Sequence, residues 1–192
     1  MSRRVTVVGA GALGSHVVQL LRNADVTLHV IDDDRVERKN VLAQFHSAKS
    51  VGKSKVQSLS QAMQFMFARK IDGTPHRLRS DNAEQLLGGS ALVVDCLDNL
   101  ESRNVVSTFV REQDIPCLHG ALAPDGQFGR VIWDEDFVAD GEGGPGAVTC
   151  EDGAHLPFIG VVASYIAYAA QRFLEQDRRV GFQVHPAGAT PI

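Results

Sequence analysis

Three glycines near the start of the chain have the spacing of a turn that binds phosphate groups. They follow the apolar run Val5–Val8, and the pattern is Gly9-x-Gly11-x-x-Gly14. In such a turn Gly9 allows the chain to reverse, Gly11 lets a phosphate approach the backbone, and Gly14 lets the next helix pack against the strand. The N-terminus of that helix offers unpaired N–H groups and partial positive charge to an anion. The motif therefore predicts a nucleotide site.

An aspartate further along the chain supports this prediction. A second apolar run, Val26–Ile31, leads directly to Asp32, which lies 18 residues after Gly14. A carboxylate at the end of the second strand can accept hydrogen bonds from ribose hydroxyls. Strand, glycine turn, helix, strand and acid thus occur in the order of a nucleotide-binding unit, whereas the glycines alone are weak evidence.

The rest of the chain supplies the elements that must position this unit. The alternation of helical and strand patterns predicts an α/β fold of the Rossmann-like, doubly wound type, with a mostly parallel sheet and helices on both faces. After the first unit, the patterns predict helices over 53–67, 83–87, 101–113 and 155–176, and strands over 76–79, 91–96, 116–120, 126–133 and 181–184.

Length and composition limit the classes of protein to consider. The 192 residues have the size of a single domain, 1–192. A net charge of −4 gives no reason to expect nucleic acid or a membrane surface as a partner, and no apolar run reaches the length of a membrane span. The chain enters its first strand after four residues, without room for a secretion signal. Three isolated cysteines fit a cytoplasmic location.

One stretch has the composition of a mobile loop. Residues 134–146 contain five acidic residues and four glycines, too little apolar surface to order themselves. We expect the loop over 134–150 to become ordered only when a partner binds. The helix predicted after it has a broad apolar stripe, which a homodimer interface would explain.

Further motifs make the sequence resemble the ThiF/MoeB/HesA family, whose members are relatives of ubiquitin-activating enzymes. The resemblance extends from residue 5 to about residue 174, in the order and spacing of that family. The matching pieces are the glycine motif, Asp32-x-Asp34-x-Val36, Asn40-x-x-x-Gln44, Val51-Gly52-x-x-Lys55-Val56, Asp98-Asn99-x-x-x-Arg103 and Cys150 ahead of a long helix.

The resemblance implies a reaction and a set of site residues. The family binds ATP and magnesium and adenylates the C-terminal carboxylate of a ubiquitin-like or sulfur-carrier protein, or of a peptide or small carboxylate. The residues implied by position are Asp32 for the ribose, Asp34 beside it, Asn40, Gln44 and Lys55 for the phosphates, and Asp98 for magnesium.

These roles make chemical sense, although each residue has a structural alternative. An attacking carboxylate and a triphosphate repel each other, so the site needs cations and N–H donors where negative charge accumulates. Lys55 supplies a point charge, and Asp98 is a hard oxygen ligand suited to magnesium. Alternatively, Asp98 is the N-cap of the helix that follows, and Arg103 pairs within the sheet edge or the dimer.

The chain departs from the family pattern at three points. Ala43 stands where the family usually has an arginine. The chain starts at its first strand, without the N-terminal helix whose arginine enters the partner protomer's site in many members. The two Cys-x-x-Cys pairs that bind structural zinc are missing, so no zinc is expected.

Cys150 has two interpretations. Some relatives keep a thiol here that attacks the acyl-adenylate, and a nearby helix N-terminus would favour the thiolate. The neighbouring Glu151 and Asp152 would instead raise the pKa of the thiol. Cys96, Cys117 and the seven histidines are interpreted as structural.

Three hypotheses follow. The leading one is an ATP-dependent adenylyltransferase. The second is a nucleotide-binding partner subunit or sensor of the same fold that has lost adenylation, which Ala43 motivates. The third is an NAD-dependent oxidoreductase, which rests on the glycines and Asp32 alone and leaves Lys55 and Asp98 unexplained.

Overall fold

The first strand of the chain is the middle one of five parallel strands in an eight-stranded sheet. The computed structural model describes residues 2–138 and 153–192. Its strands are β1 (Arg3–Val8), β2 (Val26–Ile31), β3 (Asp72–Thr74), β4 (Leu92–Asp95), β5 (Cys117–Leu122), β6 (Gly129–Trp133), β7 (Phe182–His185) and β8 (Gly188–Pro191). Its helices are α1 (Ala12–Leu20), α2 (Lys55–Phe67), α3 (Ala83–Leu87), α4 (Leu100–Glu112) and α5 (Leu156–Gln176).

The strand order confirms the predicted fold class. The order is β3-β2-β1-β4-β5-β6-β7-β8; β1 to β5 pair in parallel and β5 to β8 pair antiparallel. In register, Val8 lies opposite Ile31 of β2 on one side and Asp95 of β4 on the other. The connections from β1 and β4 leave at this same edge, and such a switch point opens a crevice where ligands bind.

Helices cover both faces of the sheet, as predicted. Val5 and Val7 of β1 pack in one apolar cluster with residues of α1, α2 and α5, whereas Val8 packs in a second cluster with α3 and α4. This alternation follows from the opposite directions of successive side chains in a strand. Helix α5 contacts α1 as well as β5, β6 and β7, so its broad apolar stripe is covered within one chain.

Some predicted elements are placed differently. The strand predicted over 76–79 is wrong, because the paired segment is Asp72–Thr74, and β8 was not predicted. Asp134–Asp136, predicted as the start of a mobile loop, forms a 3-10 turn with Asp134 buried. Residues 139–150 of that loop lie outside the described residues. Among the described helices, none combines the length and apolar character needed to cross a membrane.

Candidate nucleotide-binding site

The glycine turn has the geometry that its sequence predicts. Gly9 has a φ of +93°, and a Cβ there would lie 2.9 Å from the carbonyl oxygen of Cys96. A Cβ at Gly14 would overlap the carbonyl oxygen of Gly9, so a side chain would push α1 away from the turn. At Gly11, by contrast, a Cβ would meet nothing within 4 Å. Two glycines are thus required by packing, while Gly11 faces open space where a ligand can approach the backbone.

Asp32 joins the end of β2 to this turn. Its Oδ2 accepts a hydrogen bond from the Ala10 N–H at 2.6 Å, and its Oδ1 accepts one from the Asp34 N–H at 2.8 Å. Burial raises the pKa of Asp32, although the charge of Lys55 and the two backbone hydrogen bonds act in the opposite direction. The carboxylate is therefore held in one orientation beside the turn, where its remaining lone pairs can meet ribose hydroxyls.

Lys55 is a buried ammonium group at the first position of α2. It is 7% exposed, and its Nζ donates to Asp34 Oδ2 at 2.7 Å. Burial disfavours the charged amine, but the negative charges of Asp32, Asp34 and Asp98 outweigh it and raise the pKa of Lys55. A cation is unfavourable at a helix N-terminus, so these carboxylates compensate for its position.

The structure separates the two roles considered for Asp98. The N-cap of α4 is the next residue, Asn99, whose Oδ1 accepts the Ser102 N–H at 2.9 Å. Asp98 itself is exposed at the edge of the cleft, close enough to affect the pKa of Lys55. Capping is therefore performed by Asn99, and the carboxylate of Asp98 is left for another partner.

A cleft at the carboxyl edge of the sheet brings most of the predicted site residues together. Asp32, Asp33 and Asp34 each place a carboxylate oxygen within 4.8 Å of the other two, and oxygen ligands of this kind, with Asp98, suit magnesium. Residues 76–78 also line the cleft; only the pairing of β3 with β2 carries them to this edge. The predicted residues in the lining are Gly9, Gly11, Asp32, Asp34, Lys55 and Asp98.

Other predicted residues lie elsewhere. Gly14 supports the turn from behind, and the Asn40 side chain is buried, with its Oδ1 accepting the Glu37 N–H at 2.8 Å. Gln44 is partly buried, and its Oε1 has no hydrogen-bond donor within the described part of the chain. Neither Asn40 nor Gln44 is among the described residues that line the cleft, and Cys150 is outside those residues.

Ala43, the position where the family usually has an arginine, is fully buried. Its exposed fraction is 0%, and it belongs to the main apolar cluster. Two of the nearby basic residues already have partners: Arg35 donates to the Gly52 carbonyl at 2.7 Å, and Lys39 lies 3.6 Å from Glu37. Among the basic residues that line the cleft, Lys55 is buried, whereas His76 and Arg77 are exposed.

A second group of charged side chains lies between α4 and β4 to β6, and all of them are buried except Arg111, whose side chain is 54% exposed. We call Asp95, Arg103, Arg111, His119 and Asp134 the buried cluster. His119 is 1% exposed; its Nδ1 lies 2.8 Å from Asp95 and its Nε2 lies 2.9 Å from Asp134. Arg103 lies 3.5 Å from Asp95, and Arg111 donates to Asp134 at 2.5 Å. Because an ionised carboxylate only accepts hydrogen bonds, both ring nitrogens carry hydrogen and His119 is an imidazolium.

Electrostatics agree with this assignment. Burial alone disfavours a charged imidazole, but the Cys117 sulfur and the hydrogen bonds to Asp134 and Asp95 outweigh it and raise the pKa of His119 to about 11. Burial would also raise the pKa of Asp134, but hydrogen bonds from His119, Arg111 and Ser107 hold it below its ordinary value. His119 and Asp134 are therefore both ionised at neutral pH.

The sheet order and the glycine turn on its central strand define a Rossmann-like protein. The chain belongs to the ThiF family, whose profile matches residues 1–188. It is 34% identical over 148 residues to the SAMP-activating enzyme E1 of Haloferax volcanii, covering 70% of this chain and 55% of that protein. It is 34% identical over 181 residues to the molybdopterin-synthase adenylyltransferase of Salmonella typhimurium, covering 89% of this chain and 72% of that protein.

Solved structures share the fold. Escherichia coli MccB, crystallised with MccA-N7isoASN, superimposes with a TM-score of 0.80 and 14% identity, covering 99% of this chain and 63% of that one. MccB crystallised with ATP gives a TM-score of 0.78 at 14% identity, with 99% and 62% covered. The chain spans little more than half the length of the Haloferax relative and somewhat under two thirds of MccB.

Proposed function

We propose that the chain is an ATP-dependent adenylyltransferase that activates the C-terminal carboxylate of a ubiquitin-like or sulfur-carrier protein, or of a peptide. The main support is the cleft, where the open backbone at Gly11, the ammonium of Lys55 and the exposed carboxylate of Asp98 meet. The names of the relatives agree: one activates SAMP and the other is an adenylyltransferase. We further propose that residues 1–192 act as one domain in the cytoplasm.

In the proposed reaction an acceptor carboxylate oxygen attacks the α-phosphorus of ATP. A new P–O bond forms, the bond to the β-phosphate oxygen breaks, and pyrophosphate leaves. Lys55, a fixed cation, would oppose the negative charge of the phosphates, and the Gly11 backbone would donate to them. Asp98 would hold magnesium, which neutralises phosphate charge when bound.

Asp98→Ala provides the first test. We expect it to abolish carboxylate-dependent exchange of labelled pyrophosphate into ATP, because the site would lose a metal ligand. The thermal transition should be unchanged, since Asn99 provides the helix cap. Asp25→Ala is a matched control, as Asp25 is exposed at the opposite edge of the sheet. Full exchange by Asp98→Ala would remove Asp98 from the chemistry.

A second candidate function has support from Ala43. If the family arginine is needed for adenylation, a buried alanine at that position favours a nucleotide-binding partner subunit or sensor instead. An arginine that contacts a transferring phosphoryl group can contribute roughly 10³–10⁵ in rate. Magnesium-dependent ATP binding without pyrophosphate exchange, for every acceptor tried, would favour this second function.

We also propose a homodimer. The breadth of the α5 stripe is explained within one chain, but Val161 and Tyr168 remain exposed on that helix. Exposed apolar side chains on one helix offer a contact surface for a second copy. A solution mass of two chains is expected, and a mass of one chain would refute the proposal. We likewise propose that the part of the predicted loop that follows the Asp134–Asp136 turn closes over the C-terminal tail of the acceptor when that tail binds.

A further inference from the structure

His46 connects three parts of the structure around the glycine turn. It lies on the connection between β2 and α2 and is buried. Its Nε2 is 2.9 Å from the carbonyl oxygen of Ala10, and its Nδ1 is 3.1 Å from the hydroxyl of Ser58 on α2. Its contact with Ala10, which lies 36 residues earlier in the chain, is not visible in any local sequence pattern.

The partners of His46 determine its tautomer. A carbonyl oxygen can only accept, so Nε2 carries the hydrogen and donates it to Ala10. The Ser58 hydroxyl then donates to Nδ1 of the neutral ring. Burial lowers the pKa of His46. The charge of Lys55 lowers it further, whereas the hydrogen bond to Ala10 acts in the opposite direction. The ring is therefore neutral at neutral pH.

The Ala10 carbonyl controls the direction of a donor in the cleft. The C=O of Ala10 and the N–H of Gly11 belong to one planar trans peptide, so they point in opposite directions. With its C=O fixed on His46, this peptide must direct the Gly11 N–H away from His46. Across the described residues, that N–H has no protein acceptor, and Gly11 lines the cleft.

Ala10 is held from both sides, which matters because its neighbours are glycines. Its N–H donates to Asp32 Oδ2 at 2.6 Å, while its C=O accepts from His46. Glycine backbone is flexible, so a turn between Gly9 and Gly11 would otherwise sample several orientations. Two hydrogen bonds from side chains outside the turn restrict it to one.

We infer that His46 is a positioning residue for phosphate binding: its Nε2–H fixes the Ala10–Gly11 peptide so that the Gly11 N–H is already directed at a phosphate group of the nucleotide. This role rests on the proposed function, because it requires a nucleotide in the cleft. It assigns no chemical step to His46, which acts only through Ala10.

Two amide substitutions separate the Ala10 bond from the Ser58 bond. In His46→Gln the side-chain amide nitrogen can occupy the position of Nε2 and donate to Ala10. In His46→Asn the shorter side chain places its amide nitrogen near Nδ1, where it reaches Ser58 but not Ala10. His16→Asn is a matched control, because His16 also contacts a carbonyl of this connection, that of Ala43 at 3.1 Å, and not of the turn.

Calorimetric titration with magnesium-ATP and with adenosine gives the readout. We expect His46→Asn to weaken ATP binding about tenfold, the usual range for one lost hydrogen bond, and to leave adenosine binding unchanged. We expect His46→Gln to restore ATP affinity to within about threefold of the wild type, and His16→Asn to match the wild type. Urea unfolding of each variant separates loss of affinity from loss of folded protein.

The outcomes distinguish this inference from the proposed function. If folded His46→Asn bound ATP as tightly as the wild type, this inference would be overturned and the proposed function would stand. Equal losses of ATP and adenosine affinity would also overturn it, since they indicate a general structural role. Absence of magnesium-ATP binding by the wild type would overturn the proposed function, and this inference with it.

Discussion

The cleft and the buried cluster contain the same kinds of side chain, yet only the cleft is open to a ligand. In the buried cluster, both ring nitrogens of His119 face carboxylates, and Asp134 accepts from three side chains. In the cleft, the side chain of Asp34 is 66% exposed although it pairs with Lys55, and Asp98 is exposed. Charged residues near a switch point can thus serve either the fold or a ligand.

Completeness of pairing distinguishes the two groups. A buried polar network stabilises a structure only when every member has a partner, and the buried cluster meets this requirement. A binding site instead keeps donors and charges for a group that arrives later. The Gly11 N–H and the Asp98 carboxylate are such groups. Substitutions in the buried cluster should therefore affect stability, and substitutions in the cleft should affect ligand binding.

The largest effect is expected from His119→Leu. This change leaves Asp95 and Asp134 as buried carboxylates without their shared partner, and removing one member of a buried ion pair costs about 3–5 kcal/mol. Urea unfolding should show this loss, while the folded fraction keeps its affinity for magnesium-ATP. The exposed His185 provides a control, as His185→Leu should leave the free energy of unfolding nearly unchanged. If His119→Leu lost ATP affinity without losing stability, His119 would serve ligand binding and not the fold.

Lys55→Ala is expected to have the opposite pattern. Removal of the ammonium should weaken magnesium-ATP binding about 100-fold, because a charge-assisted contact to phosphate is lost. The free energy of unfolding should change by less than about 1 kcal/mol, since the partner Asp34 stays solvated. Lys53→Ala, two residues earlier and exposed, serves as a control in the same calorimetric titration. If the wild-type chain bound NAD in place of ATP, the proposed adenylyltransferase function would be rejected.

The smallest effect is a dependence of stability on pH. His119 has a pKa of about 11 in the folded chain and an ordinary value near 6.5 when unfolded. Between these values the folded state binds one more proton, so its stability is complete below about pH 6.5 and falls as the pH rises. We expect the free energy of unfolding to fall by about 1.4 kcal/mol per pH unit between pH 7 and 8.

The other histidines and the thiols with shifted pKa values do not account for a loss of stability between pH 7 and 8. Burial lowers the pKa of His16, His29 and His46, so these rings are neutral in both states above pH 7. The buried thiols of Cys96 and Cys117 have raised pKa values and steepen the loss only at higher pH. Urea unfolding at several pH values should give a flatter slope for His119→Gln. An equal slope would show that His119 is not the responsible group.

Local patterns predicted much of the site. The glycine turn and Asp32 could be recognised because their function depends on residues near in sequence, and α3 was predicted at its observed bounds. Pairing between distant segments could not be predicted in the same way. Asp72–Thr74 has little strand propensity and becomes β3 only by pairing with His29–Ile31. The contact of His46 with Ala10 could not be predicted for the same reason.

Composition misled the interpretation of Asp134. It begins an acidic, glycine-rich stretch, which is typical of a solvated loop. In the structure it is buried by partners from α4 and β5 that no local window contains. The Asp98–Asn99 pair shows a finer limit, because both residue types cap helices well and only the backbone at Asn99 decides which one does.

The register of β1 also determines how long this strand lacks a partner during synthesis. Val5 of β1 pairs with Leu92 of β4, and the cleft lies at the carboxyl ends of those strands. During synthesis, therefore, the first strand stays half-paired until about the ninety-fifth residue has left the ribosome. Contacts so distant in sequence fold slowly, and an unpaired apolar edge is prone to aggregation. A nascent chain thus depends on β4, the second partner of β1, to protect that strand.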